Sequence, residues 1–231
     1  MLVIELAEAV PAAVVKRLRG FLVGSSACFE EKRPGGYDLN VFADRLGAPD
    51  PGEVDGRRPF LVYAMGPGIG DEETFEAEHA DGPDLEPLIG FSPTHAVDVI
   101  AGCNRPIDHL ATALLTAAIM DVVGGVANAE LLDDQVAVVD GLPGVLAMTD
   151  GPLPTVFGTA EFLRAWAAQP GFRLLKQSAA RTCSAREKDT LSQEIESRSS
   201  VHLSLELLRS YVESVRGDHV SPVQPRTWET A

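Results

Sequence analysis

Several short stretches of the chain have the apolar or alternating pattern that is typical of β-strands. LVIEL at 2–6 follows the two-residue period, and FLVYAM at 60–65 indicates a buried inner strand. Turn residues in RPGG and GLPG predict two hairpins. The predicted strands comprise residues 2–6, 27–31, 37–42, 60–65, 96–101, 135–140, 144–149 and 172–176.

Longer stretches repeat their apolar residues with helical spacing. Pro11 suits the first turn of one helix and Gly24 its end, while Pro106 opens a second helix that ends at a glycine pair. Thr159 is a predicted N-cap. The predicted helices comprise residues 11–24, 106–124, 158–170 and 203–215.

The first two helices occupy equivalent places in two similar halves of the chain. With a shift of 95 residues, Leu2 falls on Val97 and Pro11 falls on Pro106. Each half then runs strand, proline-led helix, glycine, strand. We therefore expect an α+β fold, with a mixed sheet or sheets packed against a few helices and a pseudo-repeat of halves 1–90 and 91–176.

The composition changes after Lys176, where the chain becomes polar and rich in serine. We expect residues 1–176 to form a compact body. Residues 177–231 are predicted to form a polar linker, the amphipathic helix 203–215 and a disordered end. One functional hypothesis is a structural subunit that docks through this helix.

The negative charge of the chain is concentrated in its middle. The 231 residues carry 34 acids and 19 bases, a net charge of −15, and residues 51–150 hold 18 of the acids with 3 of the bases. Neither Lys nor Arg occurs between Arg58 and Arg105. Eight acids within this gap form a predicted partner-binding set: Asp71, Glu72, Glu73, Glu76, Glu78, Asp81, Asp84 and Glu86.

Such an acidic block repels nucleic-acid phosphates and anionic lipids, and it attracts a basic protein surface. The alternative is a solvated face that keeps the protein soluble. We expect an acidic binding protein that docks a basic protein partner and binds neither nucleic acid nor membrane. The sequence does not indicate an oligomeric state.

The location of the protein follows from its apolar segments. The N-terminus lacks the order of charges of a secretory signal, because its basic residues follow the apolar ones. The apolar stretch 110–120 rises only about 16 Å, roughly half of a bilayer core. It therefore predicts a buried helix, with Thr112 and Thr116 opposite its apolar stripe, in a cytoplasmic protein.

The glycine-rich loop GPGIG after 60–65 resembles a phosphate loop only superficially. Its spacing is G-x-G-x-G, and Asp71 follows where a phosphate loop needs Lys, so we predict no nucleotide cofactor. No metal site is predicted, since His95 and Asp98 would point to opposite faces of a strand. Three isolated cysteines have no metal-ligand spacing.

No catalytic residue is assigned, but an enzyme that uses Cys103 and His109 is an alternative hypothesis. Both residues precede or open the second helix. A thiol near a helix N-terminus can have a lowered pKa, and histidine can act as its base.

Two stretches carry a family resemblance. GFSPTHAVDVIAGCNRPIDHLATALLTAAIMDVVGGVANAELL and TAEFLRAWAAQPGFRLLK resemble an uncharacterised family of actinobacterial proteins, over residues 88–176. Its motifs are a GCN…DH turn into a helix and a closing EFL..W…P.F..LK. The resemblance implies a bacterial cytoplasmic protein without assigned catalytic residues. By analogy with small acidic immunity proteins, it implies neutralisation of a toxin.

Overall fold

The fold combines one large sheet with helices on both of its faces. The structure is a computed structural model that describes residues 1–48, 57–80, 82–151 and 153–175. The strands are β1 (Leu2–Leu6), β2 (Ser26–Arg33), β3 (Gly36–Phe42), β4 (Arg57–Met65), β5 (His95–Ala101), β6 (Val126–Glu130), β7 (Val145–Thr149) and β8 (Thr155–Gly158). The helices are α1 (Ala12–Ser25), α2 (Glu72–His79), α3 (Glu86–Ile89), α4 (Pro106–Val123), α5 (Asp133–Val139) and α6 (Ala160–Ala167), with a short 3₁₀ helix at Asp44–Leu46. The α+β class is confirmed.

The strands lie in the order β2-β3-β4-β5-β1-β6-β8-β7, and each neighbouring pair is antiparallel. The expected mixed sheet is therefore wrong. Helix α1 joins β1 to β2, and α4 joins β5 to β6. In both cases the joined strands point the same way, but antiparallel strands lie between them.

The two halves thus share a strand–helix–strand connection, but the number of strands between the two connected strands differs. Three strands separate β1 from β2, whereas β1 alone separates β5 from β6. The halves interleave at the centre of the sheet, where β1 pairs with β5 on one side and β6 on the other.

Helices α1, α4 and α6 cover one face of the sheet. Leu2, Ile4 and Leu6 point from β1 into this layer and are at most 5% exposed. Leu22 of α1 and Trp166 of α6 are fully buried in the same cluster. This layer is the main hydrophobic core.

Helix α4 lies in the middle of that core. By length and composition alone it could cross a membrane, although the core helix of a soluble protein passes the same test and half of its residues are buried. The two threonines predicted to face away from its apolar stripe, Thr112 and Thr116, are buried as well. Their hydroxyls donate to the carbonyls of Asp108 and Thr112, at 2.6 and 2.8 Å, so their burial leaves no donor unsatisfied.

Three local predictions are wrong. Residues 135–140 belong mainly to α5 and form no hairpin, because Gln135 Oε1 accepts from the Leu132 N–H at the helix start and β7 pairs instead with β8. Residues 172–175 form no strand. Helix α1 continues through Gly24 to Ser25, and β2 begins at the next residue.

Thr159 is confirmed as an N-cap, since its hydroxyl accepts from the Phe162 N–H. The linker 177–231, with the predicted helix 203–215, lies outside the described residues.

The glycine pair after α4 offers a matched test of this packing. Both Gly124 and Gly125 have positive φ, at 79° and 89°. A Cβ on Gly125 would lie 2.6 Å from the Glu5 carbonyl oxygen, whereas a Cβ on Gly124 would meet nothing within 4 Å. Gly124→Ala should cost about 1–3 kcal/mol of unfolding free energy through backbone strain. Gly125→Ala should cost roughly 1–3 kcal/mol more through overpacking against β1. Chemical denaturation of both variants measures the difference, and equal losses would contradict the close approach of this turn to β1.

Candidate functional site

The predicted partner-binding acids lie on helices α2 and α3 and in the segments that flank them, on the second face of the sheet. Asp81 lies outside the described residues. The other seven acids are all exposed: Asp71, Glu72, Glu73, Glu76, Glu78, Asp84 and Glu86. We call these seven residues the acidic surface. That they bind a partner stays a prediction.

The acids of α2 flank its buried residues on both sides. At about 100° per residue, Glu72, Glu73 and Glu76 share one side of the helix and Glu78 lies on the other. None of Glu72, Glu73 and Glu76 forms an ion pair with a residue in the described ranges. Their charge is therefore not offset by a neighbouring base there.

Asp71, at the start of the acidic surface, forms an ion pair with Arg33. The guanidinium of Arg33, at the end of β2, donates to the Asp71 carboxylate and, at 3.4 Å, to the Ile69 carbonyl. The Gly66 N–H donates to the Gly70 carbonyl at 3.0 Å, which closes the glycine loop before α2. The loop thus turns the chain from β4 into α2, and Arg33 fixes the start of the helix.

The inner side of α2 lies on a polar cluster that the sequence pattern did not reveal. His79 Nε2 is 3.0 Å from Glu5 Oε2, and His79 Nδ1 donates to the Phe75 carbonyl at 2.8 Å. The Asn128 amide donates to Glu5 Oε1 at 2.8 Å. The rings of Phe75 and His79 stack with centroids 4.1 Å apart. The Glu5 side chain is 1% exposed, so its charge depends on these two partners.

A second carboxyl lies on the same face of the sheet. Asp98 on β5 is opposite Val3 of β1 and Tyr63 of β4, and it is 2% exposed. Its Oδ1 has no hydrogen-bond partner among the described residues. We call Glu5, His79, Asp98 and Asn128 the buried polar cluster.

Two members of this cluster, Asp98 and His79, have raised pKa values. Burial raises the pKa of Asp98 well above its usual value, and the carboxylates of Glu78 and Glu5 raise it further. The hydrogen bond to Glu5 raises the pKa of His79. Burial also raises the pKa of Tyr63. Perturbed groups that cluster in this way are typical of functional positions.

The described residues hold no set of three His, Cys, Asp or Glu side chains placed to bind a metal ion. His95 and Asp98 both lie on β5, three positions apart, so their side chains point to opposite faces of the sheet. His95 Nε2 is 3.0 Å from the Pro67 carbonyl oxygen, and its Nδ1 is 2.8 Å from the Thr94 hydroxyl. Both ring nitrogens of His95 are therefore engaged in the protein's own contacts.

A buried ion pair lies at the start of α4, on the opposite face. Arg58 and Asp108 are each 1% exposed, with Nε and Oδ1 3.6 Å apart. Asp108 Oδ2 also accepts from the Arg105 N–H at 2.7 Å. Asp108 thus caps α4 and meets a buried cation, which explains its burial better than the helix dipole alone.

The surroundings of Cys103 and His109 shift the pKa values of both side chains. Cys103 is exposed at the surface. Desolvation by the neighbouring atoms raises the pKa of its thiol, and the Asp108 carboxylate raises it further, whereas the sequence predicted a lowered pKa. His109 Nδ1 accepts from the Leu174 N–H at 3.2 Å, and burial lowers the pKa of His109. The histidine is thus engaged with the chain that follows α6.

The fold and the acidic helices define an α+β protein with a continuous antiparallel sheet and a charged outer layer. The chain belongs to DUF6368, a family of unknown function, and the match covers residues 1–176. The expected relation to an uncharacterised family is confirmed. The family match also includes residues 1–87, which lie outside the two stretches that carry the resemblance. Among curated proteins and solved structures, nothing matches the chain.

We expect the pKa of His79 to lie above 6.5, because its hydrogen bond to Glu5 favours the charged ring. The pair then stabilises the fold fully below about pH 6.5, and this contribution is lost as the pH rises through the pKa of the folded state. NMR titration of the His79 ring measures it. Glu5→Gln should lower the pKa of His79, whereas Glu76→Gln on the outer side of α2 should not. An unchanged pKa in Glu5→Gln would refute the pairing.

Cys103 should react slowly with iodoacetamide at pH 6, because its thiol pKa is raised above the usual value of about 9. Alkylation of a variant with Cys28→Ala and Cys183→Ala, followed by mass spectrometry from pH 6 to 10, gives the titration curve. Rapid reaction at pH 6 would instead support the enzyme hypothesis.

Proposed function

We propose that this protein is a binding protein whose acidic surface docks a basic protein partner. The observation that supports the proposal is the common exposure of all seven described acids, together with the absence of described ion pairs at Glu72, Glu73 and Glu76. Ordinary surfaces intersperse both signs of charge. An uncompensated acidic patch lowers the free energy of approach of a basic surface.

Folding would prepare this surface. Phe75 of α2 packs with Met65 and Ala96, and Leu85 beside α3 packs with Val126 and Phe157. These contacts hold the carboxylates on helices, so a partner would not have to order a loose segment. Lower ordering entropy strengthens binding for the same contacts.

The kind of partner follows from charge. Nucleic acids and anionic membranes would be repelled by the same carboxylates. A basic protein surface, rich in Arg or Lys, is the complementary choice. Our proposal extends to a bacterial, actinobacterial and cytoplasmic setting, in which the partner is a toxin and this chain is its immunity protein. A toxin gene next to the gene for this chain would support that extension.

Charge-neutralised variants test the docking surface. Glu72→Gln, Glu73→Gln and Glu76→Gln combined should weaken binding about tenfold if each exposed carboxylate contributes about 0.5 kcal/mol. The matched control combines Asp133→Asn, Asp140→Asn and Asp150→Asn, which removes the same charge from exposed positions elsewhere.

The assay captures proteins from the native host on each immobilised variant at low salt and elutes them at 300 mM salt, where screening is strong. The proposal predicts a basic protein that is retained by the wild type and the control, released by salt, and lost from the triple Gln variant. Identical retention by all three proteins would refute the acidic surface as the docking site.

A further inference from the structure

Helix α2 has two sides with opposite electrostatic conditions. Its outer side carries the solvated acids, while its inner side covers two buried carboxyls, Glu5 and Asp98. These carboxyls lie on adjacent strands as diagonal neighbours, because Glu5 is opposite Ala96 and Asp98 is opposite Val3. Diagonal residues of a sheet are roughly 7–8 Å apart, close enough for strong repulsion where water is excluded.

We propose that α2 is a proton-dependent clasp: a doubly protonated His79 on Glu5 and a proton on Asp98 hold the helix on the sheet, and loss of these protons releases it. The proposal concerns the helix itself and goes beyond the docking of a partner.

With Glu5 ionised, the contacts of His79 place protons on both ring nitrogens. The Phe75 carbonyl can only accept, so Nδ1 carries a hydrogen. An ionised Glu5 also only accepts, so Nε2 carries the second. Once the ring is neutral, one nitrogen faces an acceptor without a hydrogen, and one of the two contacts that hold the C-terminal end of α2 is lost.

The contacts of Asp98 favour its neutral form. Its Oδ1 has no donor among the described residues, so a charge there would be buried without compensation. The groups that act on Asp98 are Glu5 on β1, Glu78 and His79 on α2, and the amino group of Met1. Asp98 also raises the pKa of Tyr63 on β4, and Glu130 on β6 faces the same amino group.

His79 and Asp98 act in the same direction. The pKa of His79 and the pKa of Asp98 are both raised in the closed state, so opening releases protons and becomes easier as the pH rises. Burial lowers the pKa of the Met1 amino group, so this group takes up a proton where opening exposes it and reduces the net proton release. The Arg33–Asp71 pair at the start of α2 is held by an arginine that stays charged. Release therefore starts at the His79 end.

Hydrogen exchange of the full chain tests the clasp without any partner. We expect the protection of the α2 amides, corrected for intrinsic rates, to fall about tenfold per pH unit for each proton released between pH 5.5 and 8.5. The amides of α4 serve as the internal reference, because that helix packs on the opposite face. An α2 protection that follows that of α4 at every pH would overturn the proposal.

Three substitutions separate the clasp from ordinary helix fraying. Asp98→Asn removes the buried acid and should keep α2 protected at pH 8.5. His79→Gln should lower the protection of the α2 amides at pH 5.5 and should reduce the dependence of that protection on pH. Glu76→Gln removes an exposed acid of the same helix and should keep the wild-type slope. Wild-type slopes in both Asp98→Asn and His79→Gln would refute the clasp, and if Asp98→Asn does not fold, His79→Gln decides alone. The exchange experiment needs no partner, so its outcome is independent of the outcome of the pull-down.

Discussion

A single buried carboxylate organises the second face of this protein. Glu5 is 1% exposed on the central strand β1, and it can remain there only because His79 and Asn128 satisfy its two oxygens. His79 brings α2 onto the sheet, and α2 carries the acidic surface. The buried carboxylate of Glu5 thus helps to position the exposed carboxylates of the acidic surface.

The two faces of the sheet solve different physical problems. On one face, apolar side chains from β1, α1, α4 and α6 close a conventional core. On the other, small apolar clusters form around Phe75 and Phe157, and the buried residues there include Asp98 and Glu5, which prefer water. A face of this kind is less stable per unit of buried area, because desolvation of its carboxyls offsets part of the hydrophobic gain. It is therefore the natural place for a movable element.

The sequence predicted the parts of the fold that depend on local pattern. Strands β1 to β5 and β7 and helices α1, α4 and α6 follow from period, proline and capping signals such as Thr159. The run QVAVVD misled, because its β-branched residues favour a strand while Gln135 makes a helix-start hydrogen bond. The buried polar cluster was beyond prediction, since Glu5 occupies an ordinary polar position of LVIEL and meets His79 from 74 residues away. The exposure of the acidic segment was predictable, because Asp and Glu side chains are rarely buried without a partner and this segment contains no Lys or Arg.

The place of β1 in the sheet has a consequence for how the protein is made. This strand is synthesised before both of its neighbours in the sheet, residues 95–101 and 126–130. Until ribosomal synthesis has passed residue 101, both hydrogen-bonding edges of β1 lack their native complements, and one edge still lacks its complement until residue 130 is made. Such sequence-distant pairing slows folding and leaves an adhesive edge exposed meanwhile. The nascent chain accordingly keeps an unpaired edge of β1 that can aggregate until residue 130 has been made.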